Sequence, residues 1–160
     1  MRKAKTDIDL SRRLEQFRVA CRQRGLRVTP QRVEIYREIA RSDRHPDVDT
    51  VYRRVRRRLP NVSLDTVYRT LTTFEHAGLL CRVDVLHGKG RFDADLRPHH
   101  HFICRHCGKV EDIMPREGEP VYTPPGASLL GSIESVHLQV SGTCTTCRKR
   151  QSKRGAPGRH

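Results

Sequence analysis

The sequence predicts an α+β protein in which a basic, helical front half precedes a strand-containing half rich in cysteine and histidine. Helical periodicity dominates residues 9–76, whereas apolar alternation appears only after Gly78. Charge follows the same division, because residues 1–82 carry 20 basic and 10 acidic side chains, net +10, and residues 83–160 carry 12 and 8, net +4. Five of the six cysteines lie beyond residue 75. Two modules with different tasks are therefore expected.

Two helices are predicted at the start of the chain. Apolar residues recur at helical spacing over residues 9–24, and Gly25 stands where that helix would end. A second helix begins in "VTPQRVEIYREIA", with Thr29 as a suitable N-cap and Pro30 at the first helical position. Its buried stripe would consist of Val33, Tyr36, Ile39 and Ala40.

The next two helices have the pattern of a helix-turn-helix. A cap at Asp47 or Asp49 would start a third helix that ends at Leu59. After a Pro-Asn turn, Ser63 caps a fourth helix that runs to about His76. The amino-terminal part of the second helix in this motif enters the major groove of DNA. In this geometry Leu64, Val67, Leu71 and Phe74 would pack inward. The residues exposed to the groove would be Ser63, Asp65, Thr66, Tyr68 and Arg69. The alternative is that these exposed residues are ordinary helix surface.

A β-hairpin is predicted after these helices, in "LLCRVDVLHGKGRFDADL". Its strands would be Leu80 to Leu86 and Arg91 to Leu96, and Lys89 and Arg91 at its tip could contact phosphate. The run "RRVRRR" in the third helix is either another phosphate contact or a solvated face. The formal charge of +14 favours a polyanionic partner, because lysine and arginine release counterions from phosphates.

No stretch of the sequence suggests a membrane or a secretory route. The longest apolar runs fall far short of the ~20 residues that cross a bilayer. The amino terminus, MRKAKTDIDL, has no apolar core of a signal peptide. We therefore expect a cytoplasmic protein without a membrane partner, in which paired cysteines are metal ligands rather than disulfides.

Two Cys-x-x-Cys pairs predict a closed tetrahedral zinc site with a structural role. The ligands would be Cys104, Cys107, Cys144 and Cys147. Gly108 would permit the tight turn of a zinc knuckle. The isolated Cys21 and Cys81 are expected to be buried packing residues instead.

Histidines and aspartates predict a second metal site. Neighbouring side chains of a strand point to opposite faces, so His99 and His101 share one face while His100 and Cys104 lie on the other. Imidazoles with carboxylates form a harder, more open site that suits Fe(II), Mn(II) or Zn(II). Each residue taken alone is more often a surface side chain, but acids precede and follow this strand, at Asp93 and Asp112.

Six stretches carry a resemblance to a known family: "GLRVTPQR" (25–32), "HPDVDTVY" (45–52), "VSLDTVYRTLTTFEHAGLL" (62–80), "RFD" (91–93), "HHHFICRHCGKVEDI" (99–113) and "CTTC" (144–147). The chain resembles the ferric uptake regulator (Fur) family of metal-responsive bacterial repressors. The resemblance implies a winged helix-turn-helix DNA-binding domain at 1–90 and a small α/β dimerisation domain with the four-cysteine zinc site at 91–148. A homodimer on a double-stranded DNA operator is also implied. The basic tail, 149–160, is expected to be disordered.

The resemblance looks strongest to the peroxide-sensing branch of the family (PerR), in which three histidines and two aspartates hold the regulatory Fe(II) or Mn(II). These positions correspond to His45, Asp93, His99, His101 and Asp112. Iron-sensing members tend to carry glutamate at the corresponding places. The implied function is a repressor that senses hydrogen peroxide by iron-catalysed oxidation of a ligating histidine, which is sensing and not enzymatic turnover. The motif "GLRVTPQR" adds Arg27, Thr29 and Arg32 to the candidate DNA contacts.

The sequence departs from the family pattern between 114 and 136, where four prolines and three glycines replace an amphipathic helix. That helix is expected to be short, displaced or absent. His137 is offset by one residue from a position that ligates metal in some members, so it is not expected to be a ligand. A reversible sensor of iron, manganese or zinc is an alternative function. A metal-dependent hydrolase or oxygenase is another, although no Gly-x-Ser-x-Gly element, phosphate-binding loop or HExxH helix is found.

Overall fold

The chain folds into two compact units. The computed structural model describes residues 7–42, 44–85, 89–116, 123–133, 136 and 138–154. The units divide between Leu96 and Arg97. This boundary differs from the expected one after residue 90, because the strand Arg91–Asp93 pairs with Cys81–Val83 and therefore belongs to the first unit.

The described part of the first unit contains four helices followed by a two-stranded antiparallel hairpin. Its elements are α1 (Asp7–Gln23), α2 (Pro30–Ala40), α3 (Val48–Arg56), α4 (Leu64–His76), β1 (Cys81–Val83) and β2 (Arg91–Asp93). This order confirms the predicted winged helix-turn-helix, although α3 ends before Leu59 and the hairpin strands are shorter than expected.

The starts of three helices follow from side-chain caps. Thr29, Asp47 and Ser63 each accept a hydrogen bond from the backbone amide three residues further on, at 3.2, 2.8 and 3.1 Å. Each cap thereby satisfies an amide that has no partner inside its helix. Of the two candidate caps for α3, the structure therefore selects Asp47.

The core of the first unit is built on three aromatic rings. Phe17 stacks on Tyr36 with ring centroids 4.0 Å apart, and Phe74 meets Phe17 edge-on at 5.1 Å. Val67 and Leu71 are fully buried beside them, as predicted. Leu64 is 43% exposed, so its predicted burial is wrong. Helical spacing places it on the inner side, but as the first residue of α4 it lies beyond the end of the core.

The second unit contains a three-stranded sheet with the order β4-β3-β5. The central strand, β3 (His100–Cys104), pairs antiparallel with β4 (Val110–Ile113) and parallel with β5 (Gln139–Gly142). In the described part of the Pro/Gly-rich segment, the sole helical element is a 3-10 turn at Ala127–Leu129. In these described residues, this agrees with the prediction that the family helix is short, displaced or absent. His137 lies outside the described residues.

The chain continues after β5 into a basic helix, α5 (Thr145–Arg154). The first six residues of the tail expected to be disordered are thus helical, because no proline or glycine interrupts the chain before residue 155. Residues 155–160 lie outside the described part. Among the described helices, none combines the length and the apolar character needed to cross a membrane.

Candidate metal centres and nucleic-acid interface

The second unit brings two cysteine pairs together from positions that are distant in sequence. The four sulfur atoms of Cys104, Cys107, Cys144 and Cys147 all lie within 4.8 Å of one another. The parallel pairing of β3 with β5 places Cys104 opposite Gly142, so the next turn carries Cys144 to the knuckle. At the knuckle Gly108 has a φ of +65°, and its amide donates to the Cys104 carbonyl at 2.9 Å.

The spacing of the sulfurs fits a zinc ion. Tetrahedral zinc with Zn–S bonds of about 2.3 Å separates its sulfurs by about 3.8 Å. Cys107 Sγ lies 3.8 Å from Cys144 Sγ. The amide of Cys144 also donates to Cys104 Sγ at 3.3 Å, and the amide of Cys147 donates to Cys144 Sγ at 3.4 Å. These backbone amides donate to the sulfurs, as hydrogen-bond partners of metal ligands commonly do.

The thiols have divergent acidities. Burial tends to raise the pKa of Cys104, but hydrogen bonds from the amides of Cys144, Cys107 and His106 outweigh it and lower that pKa to about 6. The pKa of Cys147 is raised to about 12, chiefly by its contact with the Cys144 side chain and then by burial. One thiolate forms readily while a neighbour resists ionisation. A divalent cation removes this conflict because it favours thiolate at every sulfur.

A histidine and an aspartate lie together in the first unit. His45 Nε2 is 3.3 Å from Asp93 Oδ2, and both side chains are almost completely buried. The other carboxylate oxygen of Asp93 accepts the amide hydrogen of Asp95 at 2.8 Å, which fixes the carboxylate. The structure thus places these two predicted ligands next to each other at the junction of β2 with the start of α3.

The second unit holds the other three predicted ligands. His99 Nε2 lies 3.0 Å from His101 Nε2, and 3.9 Å from Asp112 Oδ1. His99 Nδ1 lies 2.7 Å from the Arg97 carbonyl, and the tautomer that donates there leaves Nε2 as an acceptor. Two imidazoles that bind one ion at adjacent positions, with bonds of about 2.1 Å, have nitrogens about 3.0 Å apart. The trio therefore fits metal binding. His100 points the other way, and its ring nitrogen accepts the Leu138 amide.

The predicted reading face of α4 is exposed to solvent. Tyr68 is 52% exposed, and the side chains of Asp65 and Arg69 are largely in water, 4.0 Å apart. Ser63 and Thr66 are exposed as well, but their hydroxyls lie 2.8 Å from each other and take part in the helix cap. Ser63 therefore has a capping role whatever else it contacts.

A concave surface adjoins this face of α4. It contains five of the eight predicted DNA contacts and three residues that are not among the predicted contacts. Its lining consists of Arg27, Thr29, Gln31, Arg32, Thr66, Arg69, Thr70 and Thr73. The helical spacing of Thr66, Arg69, Thr70 and Thr73 accounts for their presence on one side of α4. Polar and cationic side chains of this kind suit phosphate and base edges.

The hairpin residues Lys89 and Arg91 make contacts within the first unit, and one of the two isolated cysteines is less buried than expected. Lys89 forms an ion pair with Asp49. The guanidinium of the partly exposed Arg91 donates from Nη1 to the His45 carbonyl at 3.2 Å. Cys21 is fully buried, as predicted, whereas Cys81 is only half-buried.

These features define a class: a winged-helix protein whose second unit carries a group of four cysteines and a group of histidines with an aspartate that could each hold a metal ion. The ferric uptake regulator family model matches residues 23–122 of the 160. The chain therefore belongs to the ferric uptake regulator family of metal-responsive transcriptional regulators, which are not enzymes.

Individual relatives agree with this assignment. The chain is 28% identical over 135 residues to the peroxide-responsive repressor PerR of Staphylococcus aureus, covering 84% of this chain and 91% of that protein. A zinc-bound manganese uptake regulator is 28% identical with a TM-score of 0.59, over 80% of this chain and 98% of the other. The Helicobacter pylori ferric uptake regulator has the same fold, with a TM-score of 0.66 and 22% identity over 92% and 97% of the two chains.

Proposed function

We propose that this protein is a DNA-binding repressor that requires a regulatory metal and senses hydrogen peroxide through oxidation of a ligating histidine. The observation that carries the proposal is the ligand chemistry, in which three histidines are combined with two aspartates. The relative from Staphylococcus aureus, named a peroxide-responsive repressor, supports the same branch of the family.

The metal would take ligands from both units. His45 and Asp93 belong to the first, and His99, His101 and Asp112 belong to the second. A cation bound by all five would hold the DNA-reading unit in one orientation relative to the other. Zinc among the four thiolates would serve the fold alone, since a closed tetrahedral site leaves no position for a further ligand.

Fe(II) held by these residues would supply the redox chemistry that activates hydrogen peroxide. The protein's part is to present a ring carbon of His45 or His99 next to the reacting oxygen. Overall, one oxygen atom of the peroxide would be inserted into the carbon–hydrogen bond of the imidazole, which is thereby oxidised by two electrons, and the other oxygen atom would leave as water. The modified ring would be a poorer ligand, so the site would lose its metal and with it the metal-dependent DNA binding. Mn(II) would support DNA binding without this oxidation.

A homodimer would place two α4 helices in successive major grooves about 34 Å apart. The second unit supports a self-association role, since Leu129 and Leu130 are 88% and 92% exposed. Apolar side chains exposed in this way commonly mark protein–protein contacts. The operator would accordingly be a palindromic duplex.

The decisive experiment uses protein purified without oxygen and loaded with either Fe(II) or Mn(II). Gel shifts on an AT-rich palindromic duplex should show metal-dependent binding with both ions. Peroxide should abolish binding of the Fe(II) form alone, and peptide mass spectrometry should find one added oxygen on His45 or His99. If binding requires metal but no oxidised histidine forms, the protein is a reversible metal sensor, the alternative favoured by the similarity to a manganese uptake regulator.

A further inference from the structure

We infer that Arg91 is a positioning residue for the metal ligand His45. The guanidinium would hold the His45 backbone in the conformation that directs the imidazole at Asp93. The inference rests on the proposed function, in which His45 and Asp93 bind the regulatory metal, and it adds a residue outside the predicted ligand set. All of the contacts involved lie within the first unit.

The backbone of His45 has an uncommon conformation. Its φ is +44°, and it is the one non-glycine residue with a positive φ among those that the structure describes. Side chains with a Cβ adopt this left-handed region at a cost, because Cβ approaches the following carbonyl. The residue also precedes Pro46, which restricts its backbone further. Surrounding contacts must therefore maintain the conformation, as is usual for strained residues at functional sites.

Strand β2 provides those contacts. The Arg91 Nη1 group donates to the His45 carbonyl at 3.2 Å. The next amide along the strand, that of Phe92, donates to the Pro46 carbonyl at 3.1 Å, and Arg91 forms a β-bridge with Asp47. The strand thus contacts three consecutive residues of the turn before α3.

The same strand carries the partner ligand two residues after Arg91. Asp93 Oδ2 lies 3.3 Å from His45 Nε2. Strand β2 therefore supplies both the proposed ligand Asp93 and the Arg91 guanidinium, which holds the backbone of the other proposed ligand, His45. Among the contacts that β2 makes with the backbone of this turn, only the one from Arg91 to His45 uses a side chain, so it can be removed without changing the pairing of β2 with β1. The hairpin also keeps its separate ion pair between Lys89 and Asp49.

The test measures Mn(II) affinity of the full-length, zinc-loaded protein. Arg91→Met should weaken Mn(II) binding by about 10- to 100-fold, the usual effect of losing a residue that orients a metal ligand. Arg91→Lys should recover part of the affinity, since an ammonium group can also donate to the carbonyl. The matched control is Arg82→Met, because Arg82 lies on β1 of the same hairpin and pairs with the exposed Asp84. That variant should bind Mn(II) as the wild type does.

A double-mutant cycle separates positioning from a general structural effect. If Arg91 acts through His45, Arg91→Met should cause no further loss of Mn(II) affinity in a His45→Ala background. An equal loss in both backgrounds would overturn the inference, as would wild-type affinity in the single variant.

A second readout does not depend on Mn(II). In the zinc-loaded protein without Mn(II), the Phe92 amide should exchange its hydrogen about 10-fold faster in Arg91→Met than in Arg82→Met, because loss of one charge-assisted bond loosens the turn. Unchanged exchange would contradict the positioning role. If the wild type itself binds no Mn(II), the proposed function fails, and the exchange rates still decide whether Arg91 holds the turn.

Discussion

The two imidazole rings of His99 and His101 meet through their Nε2 atoms, 3.0 Å apart, with the ring planes inclined at 69°. Alternation along a strand places both rings on one face, and the Arg97 carbonyl orients the first of them. The intervening His100 lies on the opposite face and contacts the Leu138 amide. The histidine run is thus divided by the strand geometry into two ligand candidates and one residue with a different contact.

This division predicts different effects for neighbouring histidines. His101→Ala should weaken Mn(II) binding at least 10-fold, since it removes a nitrogen donor that faces the ion. The matched control, His100→Ala, should bind Mn(II) normally. Isothermal titration calorimetry of the zinc-loaded protein checks both variants. Equal losses in the two variants would mean that neither residue is a ligand and that the strand itself had been disturbed.

Removing a thiolate should unfold the second unit selectively. Cys144→Ser should lose zinc and most of the sheet signal, because zinc binding in small domains supplies folding free energy on the order of 10 kcal/mol. Cys81→Ser lies outside the thiolate group and should keep full zinc content. Metal analysis and amide-resolved NMR measure the two outcomes. Retention of zinc and of native signals in Cys144→Ser would argue against the four-thiolate site.

Changes on the exposed face of α4 should affect DNA binding without affecting stability. Tyr68→Ala removes a side chain that is 52% exposed, so little core packing is lost. If Arg69 contacts a phosphate, Arg69→Gln should weaken DNA binding and lower the slope of log affinity against log salt concentration by about one. The control is Arg18→Gln, because Arg18 lies on α1 and pairs with the exposed Glu15. This variant should bind DNA as the wild type does. Titrations of a palindromic duplex at several salt concentrations distinguish these variants.

The exposed leucines of the second unit lead to a prediction about assembly. Replacing both Leu129 and Leu130 with glutamate should convert a dimer into a monomer, because charged groups would then be buried at the contact. Light scattering after size-exclusion chromatography gives the mass directly, and zinc content serves as the control for folding. A dimer that persists unchanged would place the self-association surface elsewhere.

The cap of α3 should make stability depend on pH. Burial tends to raise the pKa of Asp47, but the two hydrogen bonds from Thr50 and the charge of Arg91 outweigh it and lower the pKa below the ordinary value of 3.8. Ionised Asp47 therefore stabilises the fold above that ordinary pKa, and the contribution is lost as the pH falls through the lower folded-state pKa. Asp47→Asn keeps a cap but removes the charge, so its stability should change less than the wild type's between pH 5 and pH 2. Urea unfolding of the first unit's helices measures both proteins.

The sequence by itself determined the helix starts, the order of the elements and the facing of several side chains, through rules that act between near neighbours. Caps at Thr29 and Ser63, the helix-turn-helix order and the shared face of His99 and His101 follow from neighbours within a few residues. The two Cys-x-x-Cys motifs identify themselves by spacing alone. Each of these features depends on backbone geometry that a short segment already specifies.

Only the tertiary structure decided which distant groups meet. The parallel register of β3 and β5 carries Cys144 to Cys107, and the pairing of β1 with β2 brings the Arg91 guanidinium to the His45 carbonyl. Leu64 is exposed although its helical spacing predicts burial. Such outcomes depend on which distant segments pack against each other and on how far the core extends. Neither can be read from the periodicity of one segment.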